Sequence, residues 1–170
     1  MPKVPLPEAE WECVDMFNAE KEWGQRPRCT FCRRSLKWVH IIRHPDVRQD
    51  KVAGCYCAAR RCSEYDATAA ETAAMNREQR RLRFLNAEQW KTKKNGNPYR
   101  DRRIDGTEYK FIVSSVPQQP GYYRVSVINR DTGEWLPLHW KTQPSVKGAK
   151  EYAFEIYDSL REEAETDETP

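Results

Sequence analysis

Five cysteines in three groups constrain the fold of this 170-residue chain more than any other feature. Cys29 and Cys32 form a CxxC pair, Cys55 and Cys57 form a second group, and Cys62 stands just beyond it. A CxxC pair places two sulfurs on one metal ion, and a second cysteine group can complete the tetrahedron. The spacing therefore predicts a zinc site that organises the amino-terminal half of the chain.

The predicted ligands of this site are Cys29, Cys32, Cys55 and Cys57. The first two follow from the CxxC spacing, and Cys57 stands where a strand is expected to turn into a helix. The fourth place stays open among three candidates, ranked as Cys55, then Cys62, then a histidine, His40 or His44. In a helix Cys62 is rotated by roughly 140° from Cys57, which disfavours it. Four protein ligands leave no position for water, so the site is predicted to be structural, a conclusion that weakens if only three cysteines bind.

Composition favours a metal-held fold over a large apolar core. Only 38% of the residues are hydrophobic and 32% are charged, which limits the core that the chain can bury. The first seven residues lack the apolar region of a signal peptide, and no stretch approaches the ~20 apolar residues of a membrane span. We therefore expect a cytoplasmic protein without a membrane partner, whose cysteines are ligands rather than disulfides. The competing interpretation is that the cysteines are buried apolar residues without a metal. The isolated Cys13 is expected to be a core or surface thiol.

The pattern along the chain predicts an α+β protein of five segments. They are an arm with a short helix over 8–23 (1–24), a zinc finger (25–62), a long basic helix with a linker (63–96), a sheet with a packed helix (97–163) and an acidic tail (164–170). Inside the finger, a CxxC knuckle, a two-stranded hairpin and a helix bearing the last ligands are expected in that order. This is the layout of a treble-clef-like zinc finger.

The sequence pattern of the carboxyl-terminal half predicts a three-stranded antiparallel sheet followed by a helix. Strands are expected over 109–116 and 122–129, and a third begins at Glu134–Leu136 after a turn that ends in Gly133. Apolar residues at helical spacing predict a helix over 146–163. With the long helix over 63–94 ahead of it, the expected order is αβββα.

The stretch from Cys29 through His40, with Gly54-Cys55-Tyr56-Cys57-Ala58, resembles a zinc-finger module of uncharacterised bacterial, phage and plasmid proteins. That module reads CxxC-G-x-x-L, an aromatic strand, then V-G-x-x-C-A. Here Arg33 stands in place of its glycine and Ala53 in place of its valine. The resemblance implies a zinc finger from a bacterial or mobile-element setting and carries no assigned activity.

A second stretch, from Ser145 through Ala153, resembles the start of the second helix of double-stranded-RNA-binding domains, which reads S-K-K-x-A-K-x-x-A. In that family, lysines at this helix start hold phosphates across a groove, which implies a phosphate-binding role for Lys147 and Lys150. Val146 departs from the family pattern, and the long preceding helix matches the family's first helix poorly.

Two basic segments suggest a polyanion as partner. Residues 26–61 carry ten Lys and Arg against two Asp, and residues 77–103 carry ten against three acidic residues, although the net charge is only +3. Nucleic acid is the commonest polyanion, while a solvated basic helix is the plainer explanation. The predicted phosphate contacts are Arg33, Arg34, Lys37, Arg80, Arg81, Lys93 and Lys94.

We therefore expect a zinc-stabilised protein that binds DNA or RNA without catalysis. The alternative is a protein-binding inhibitor or adaptor, of the kind phages and plasmids carry, that uses the finger as a rigid platform. The sequence contains no phosphate loop, HExxH or GxSxG motif, and its three histidines, His40, His44 and His139, are few for acid–base chemistry. An enzyme with a site of another kind is the third hypothesis.

Overall fold

The structure of the protein, a computed structural model, describes residues 6–8, 10–138 and 141–167. The chain forms two compact units, Met1–Glu78 and Gln79–Pro170. The strands are β1 (Glu12–Asn18), β2 (Trp38–His44), β3 (Val47–Ala53), β4 (Lys91–Thr92), β5 (Pro98–Ile104), β6 (Thr107–Val116) and β7 (Gln119–Asn129). The helices are α1 (Ala19–Glu22), α2 (Cys55–Ala59), α3 (Ala67–Leu85) and α4 (Val146–Asp167), with a 3₁₀ turn at Ala87–Gln89. The α+β class is confirmed.

The first unit contains a three-stranded antiparallel sheet in the order β1-β2-β3. The predicted hairpin of the finger corresponds to β2 and β3, and the backbone N–H of Asp46 donates to Nδ1 of His44 at 3.1 Å in the turn between them. Along β2, His40, Ile42 and His44 alternate with their neighbours and therefore share one face of the sheet. All three are buried, and Ile42 belongs to the core that surrounds the cysteines.

The helix predicted over 8–23 is wrong. Glu12–Asn18 form an edge strand paired with β2, and only one helical turn, α1, follows. The spacing of a few apolar residues cannot distinguish a short helix from a strand, and the free edge of β2 offers backbone partners that no local pattern reveals. Asn18 ends the strand and caps α1, since its side-chain oxygen accepts the backbone N–H of Glu20 at 3.1 Å.

The long helix is shorter than the predicted span 63–94. It begins at Ala67 because the carboxylate of Asp66, not the hydroxyl of Ser63, accepts a free backbone N–H of the first turn, that of residue 69, at 2.9 Å. It ends because the carbonyl of Phe84 accepts the indole N–H of Trp90 at 2.9 Å and a guanidinium N–H of the buried Arg100.

The sheet of the second unit has four strands, in the antiparallel order β4-β5-β6-β7, rather than the predicted three. Its strand β5 was missed because its residues are mostly polar and lack apolar alternation. The strand expected at Glu134–Leu136 is wrong: only an isolated bridge joins Trp135 to Ile128 of β7. The turn before it forms as expected, with Gly133 at a φ of 77°.

Helix α4 supplies the apolar face that covers this sheet. It begins as predicted, where the hydroxyl of Ser145 accepts the backbone N–H of Gly148 at 3.0 Å. The core of the second unit consists of Phe84, Trp90, Phe111, Val113, Val125, Val127, Ala149, Ala153 and Phe154. Helix α4 continues to Asp167, into the predicted acidic tail, whereas 168–170, 1–5 of the arm, and His139 lie outside the described residues. Among the described helices, none has the length and apolarity needed to cross a membrane.

Candidate metal centre

The CxxC pair sits in a tight loop that the backbone closes on itself. The N–H of Cys29 donates to the carbonyl of Arg34 at 2.8 Å, and the N–H of Arg33 donates to the carbonyl of Cys29 at 3.1 Å. The N–H of Thr30 donates to the carbonyl of Val52 at 2.8 Å, which ties the loop to the end of β3. We call this loop, residues 28–35, the knuckle.

One position of the knuckle is conformationally demanding. Arg33 has a φ of 65°, in the left-handed region that side chains other than glycine rarely occupy. It is the position at which the resembled module has glycine. The arginine therefore holds a strained backbone directly after Cys32.

Three sulfurs converge in the first unit. The Sγ atoms of Cys29, Cys32 and Cys57 all lie within 4.8 Å of one another. A tetrahedral zinc ion with Zn–S bonds of 2.3 Å holds its sulfurs about 3.8 Å apart, so a small adjustment would let the three bind one ion. Cys29 and Cys57 are buried and Cys32 is exposed. These three residues could hold a metal ion, and we call them the three-cysteine cluster.

The cluster is built to favour a thiolate at Cys29. Burial opposes its ionisation, but hydrogen bonds from the backbone N–H groups of Cys32, Gly54 and Phe31 bring the pKa of the Cys29 thiol below its ordinary value. Burial, followed by the hydrogen bonds and charges of the other two sulfurs, raises the pKa of Cys57 to about 12. In the absence of an ion, Cys57 therefore keeps its proton beside a neighbour, Cys29, whose thiol pKa is lowered.

Gly54 is needed for space rather than for an unusual φ. Its φ of −86° and ψ of 163° are extended values that any residue can adopt. A Cβ at this position would lie 2.7 Å from Cδ2 of Leu36, so any side chain here requires the Leu36 side chain to move aside. This close approach brings the Gly54 N–H to Cys29 and leads directly into α2, which carries Cys57.

The structure places Cys55, the first-ranked fourth ligand, in a different group. Its Sγ lies within 4.8 Å of a ring nitrogen of His40 and of a carboxylate oxygen of Glu71. The other candidates are also outside the three-cysteine cluster. Cys62 is buried, and burial followed by the nearby Cys13 raises its pKa to about 11. His44 accepts a backbone N–H in the hairpin turn.

Glu71 was missed by the sequence analysis. It lies on α3 one turn after the fully buried Ala67, and Ala74 and Glu78 continue the same face at helical spacing. This face is half-buried from Glu71 onward, and Glu78 is 2.7 Å from the ammonium of Lys21. The signal that could have found it is a carboxylate at helical spacing between two alanines, Ala67 and Ala74, in the first half of the helix.

The predicted phosphate-binding residues fall into two classes. Arg33, Arg34, Lys37, Lys94 and Lys147 are exposed, and Lys93 is half-buried. Within the described part of the chain, neither Arg33 nor Arg34 forms an ion pair. Lys37 forms none either, although its charge helps to lower the pKa values of Glu20 and Glu78, for which hydrogen bonds from other side chains are the main cause.

Arg80, Arg81 and Lys150 are engaged inside the second unit. Arg80 donates from Nε and Nη2 to one oxygen of the buried Asp158 at 3.1 and 3.0 Å, and Arg81 donates to Glu151 at 2.8 Å. The ammonium of Lys150 lies 4.8 Å from the ring centre of Trp90, and burial lowers its pKa. These three side chains hold α4 and its surroundings in place and are poorly available to a ligand.

A pocket of about 540 Å³ opens beside the three-cysteine cluster. It is lined by Cys32, Arg34, Ser35, Leu36, Gly54, Cys55, Tyr56 and Cys57. The ring of Tyr56 is 71% exposed, and the guanidinium of Arg60 lies 5.8 Å from its centre. A positively charged side chain and an unburied aromatic ring thus stand at one opening next to the sulfurs.

Comparison of the chain with models of protein families, with curated proteins and with solved structures finds no match.

Proposed function

We propose that this chain is a nucleic-acid-binding protein without catalytic activity, stabilised by a zinc ion at Cys29, Cys32 and Cys57. Three thiolate donors are a soft set that suits Zn²⁺ better than Mg²⁺ or Ca²⁺. The order of knuckle, β2–β3 hairpin and α2 supports a treble-clef-like finger, because the last sulfur comes from the first turn of the helix that follows the hairpin. The ion would join two segments that the chain separates by a hairpin.

The observation that carries the binding function is the opening around Tyr56. A tyrosine ring that is 71% exposed, between two buried or half-buried cysteines, has no role in the core. Such a ring can stack on a nucleobase, and a neighbouring guanidinium can reach the phosphate. Arg34 lines the same pocket, and Arg60 lies against the ring.

Phosphate contacts are assigned first to Arg33, Arg34 and Lys37, which are exposed around the knuckle. Of the predicted phosphate contacts in the second unit, Lys94 and Lys147 are exposed and remain candidates for phosphate binding there. Arg80, Arg81 and Lys150 are left out of the interface because their charges are engaged with α4 and Trp90.

The test is a salt titration of binding to fluorescent single-stranded and duplex DNA and RNA, using the zinc-loaded full chain. For a single strand, the slope of log K against log salt is about −0.7 for each neutralised phosphate. The double variant Arg33→Gln/Arg34→Gln should therefore flatten the slope by about 1.4. The variant Tyr56→Ala should weaken single-strand binding by about 5- to 150-fold, the loss of one stacked base.

Matched controls separate these effects from a general loss of charge or aromatic surface. Arg43 is exposed, but its guanidinium already donates twice to Asp50 at 2.9 Å, so Arg43→Gln should leave the slope nearly unchanged. Tyr122 is 44% exposed in the second unit, and Tyr122→Ala should leave affinity unchanged. The proposal would be rejected if the binding affinity did not depend on salt concentration, or if the test and control variants lost equal affinity. Absence of nucleic-acid binding together with stoichiometric capture of one protein would favour the adaptor alternative.

A further inference from the structure

We propose that His40, Cys55 and Glu71 form a second site for a divalent transition-metal ion, separate from the three-cysteine cluster. The three donors come from three elements, β2, α2 and α3, and meet inside the first unit. Their ligand atoms lie within 4.8 Å of one another. The chain would then divide its cysteines between two ions, with Cys55 serving the second.

The spacing of two of these donors, His40 and Glu71, is that of a long hydrogen bond and also fits coordination of a shared ion. Nε2 of His40 is 3.4 Å from Oε2 of Glu71, beyond the usual 2.7–3.2 Å range for such a hydrogen bond. A tetrahedral ion bound to nitrogen at 2.0–2.1 Å and to oxygen at 2.0–2.2 Å holds these atoms about 3.4 Å apart. The pair is already at the separation that a shared ion requires.

The other nitrogen of His40 is held by a neighbour. Nδ1 lies 3.0 Å from the hydroxyl oxygen of Tyr65, and the two rings meet edge to face with centres 5.6 Å apart. When Nδ1–H donates to this oxygen, Nε2 is the unprotonated nitrogen and faces Glu71. Histidines that bind metals are commonly oriented in this way by a partner on their second nitrogen.

The donor set also points to the class of ion. Imidazole and thiolate select Zn²⁺ or a similar transition metal, because Mg²⁺ and Ca²⁺ prefer oxygen ligands. His40 is fully buried, whereas Cys55 and Glu71 are half-buried. Cys55 lines the pocket beside Tyr56, so an ion can enter from that side. Three protein donors leave a fourth position for a water molecule or another ligand.

The test is metal stoichiometry on the full chain, with Co²⁺ as a coloured probe and Zn²⁺ measured after desalting. Wild-type protein should bind two equivalents. Glu71→Gln and Cys55→Ser should each bind one, and Cys55→Ser should remove the thiolate-to-cobalt absorption that belongs to the second equivalent. Tyr65→Phe should weaken that equivalent by roughly 10- to 100-fold and leave the first unchanged.

Glu78→Gln is the matched control, because Glu78 is a carboxylate on the same face of α3 that pairs with Lys21 and Asn18 instead. It should keep two equivalents. If wild type binds one equivalent that Cys29→Ser removes and Glu71→Gln does not, the second site is refuted and the first stands. If wild type binds a single equivalent that Cys29→Ser and Cys55→Ser each remove, one shared site replaces the two separate sites. If wild type binds no metal, both this inference and the zinc of the proposed function fail.

Discussion

Replacing Arg33 or Arg34 by glycine should change the stability of the knuckle in opposite directions. Arg33 occupies a φ of 65°, and a left-handed backbone costs a residue with a Cβ about 1–2 kcal/mol. Glycine removes that cost but loses about 0.5–1 kcal/mol through its more flexible unfolded state. Arg33→Gly should therefore stabilise the folded knuckle by roughly 0.5–1 kcal/mol.

Arg34 is the matched control, because it has the same charge as Arg33, is also exposed and lies in the same loop. Its φ is not positive, so Arg34→Gly has only the entropic cost and should destabilise by about 0.5–1 kcal/mol. The two variants should thus differ by about 1–2 kcal/mol although each removes one exposed guanidinium. Because the proposed phosphate contacts are lost equally, both should flatten the single-strand salt slope by about 0.7.

Amide hydrogen exchange on the zinc-loaded chain, read by mass spectrometry, reports the stability of the first unit without the second. Peptides covering β2, β3 and α2 should exchange about 5- to 30-fold more slowly in Arg33→Gly than in Arg34→Gly. Equal destabilisation in both variants would refute the strained knuckle, since it would mean that Arg33 does not hold a left-handed backbone.

Two further substitutions test other parts of the structure. Gly54→Ala should cost about 1 kcal/mol in urea unfolding, the low end of the range for overpacking, because its Cβ would meet the movable Cδ2 of Leu36 at 2.7 Å. The cost should shrink in a Leu36→Ala background, and an unchanged cost would contradict the contact. Arg80→Gln should lower stability by about 1–3 kcal/mol, because it removes the two hydrogen bonds that the Arg80 guanidinium donates to the buried Asp158. Nucleic-acid affinity should stay unchanged, and a large loss of affinity would return Arg80 to the interface.

The parts of the site that depend on local chemistry could be predicted from the sequence. The CxxC spacing located two sulfurs of the three-cysteine cluster, and the strand-to-helix transition located the third, Cys57. Both are short-range signals, since a knuckle and a helix start each involve only a few neighbouring residues. The start of α4 was equally local, because Ser145 caps it.

Neither strand β1 nor the ion pairs of the basic residues could be predicted from such local signals. Strand β1 pairs with the edge of β2. A strand that is stabilised mainly by pairing with another strand has little recognisable pattern in its own sequence. Arg80 pairs with Asp158 at a separation of 78 residues, and Arg81 pairs with Glu151 at 70. A count of charged residues over a short stretch of sequence includes these arginines, but it leaves out the carboxylates far along the chain that neutralise them.

The position of Cys55 shows that the angle of a side chain around the helix axis, and not its distance along the sequence, decides which side chains it can meet. Two residues along a helix correspond to a rotation of roughly 200°, which separates their side chains by roughly 160°, more than the roughly 140° that disfavoured Cys62. Because α2 begins at Cys55, the rotation applies: Cys57 lies in the core with Cys29, while Cys55 lies beside His40 and a carboxylate of α3. When two cysteines at a helix start are separated by one residue, their side chains therefore point to different surroundings and are poorly placed to bind the same ion.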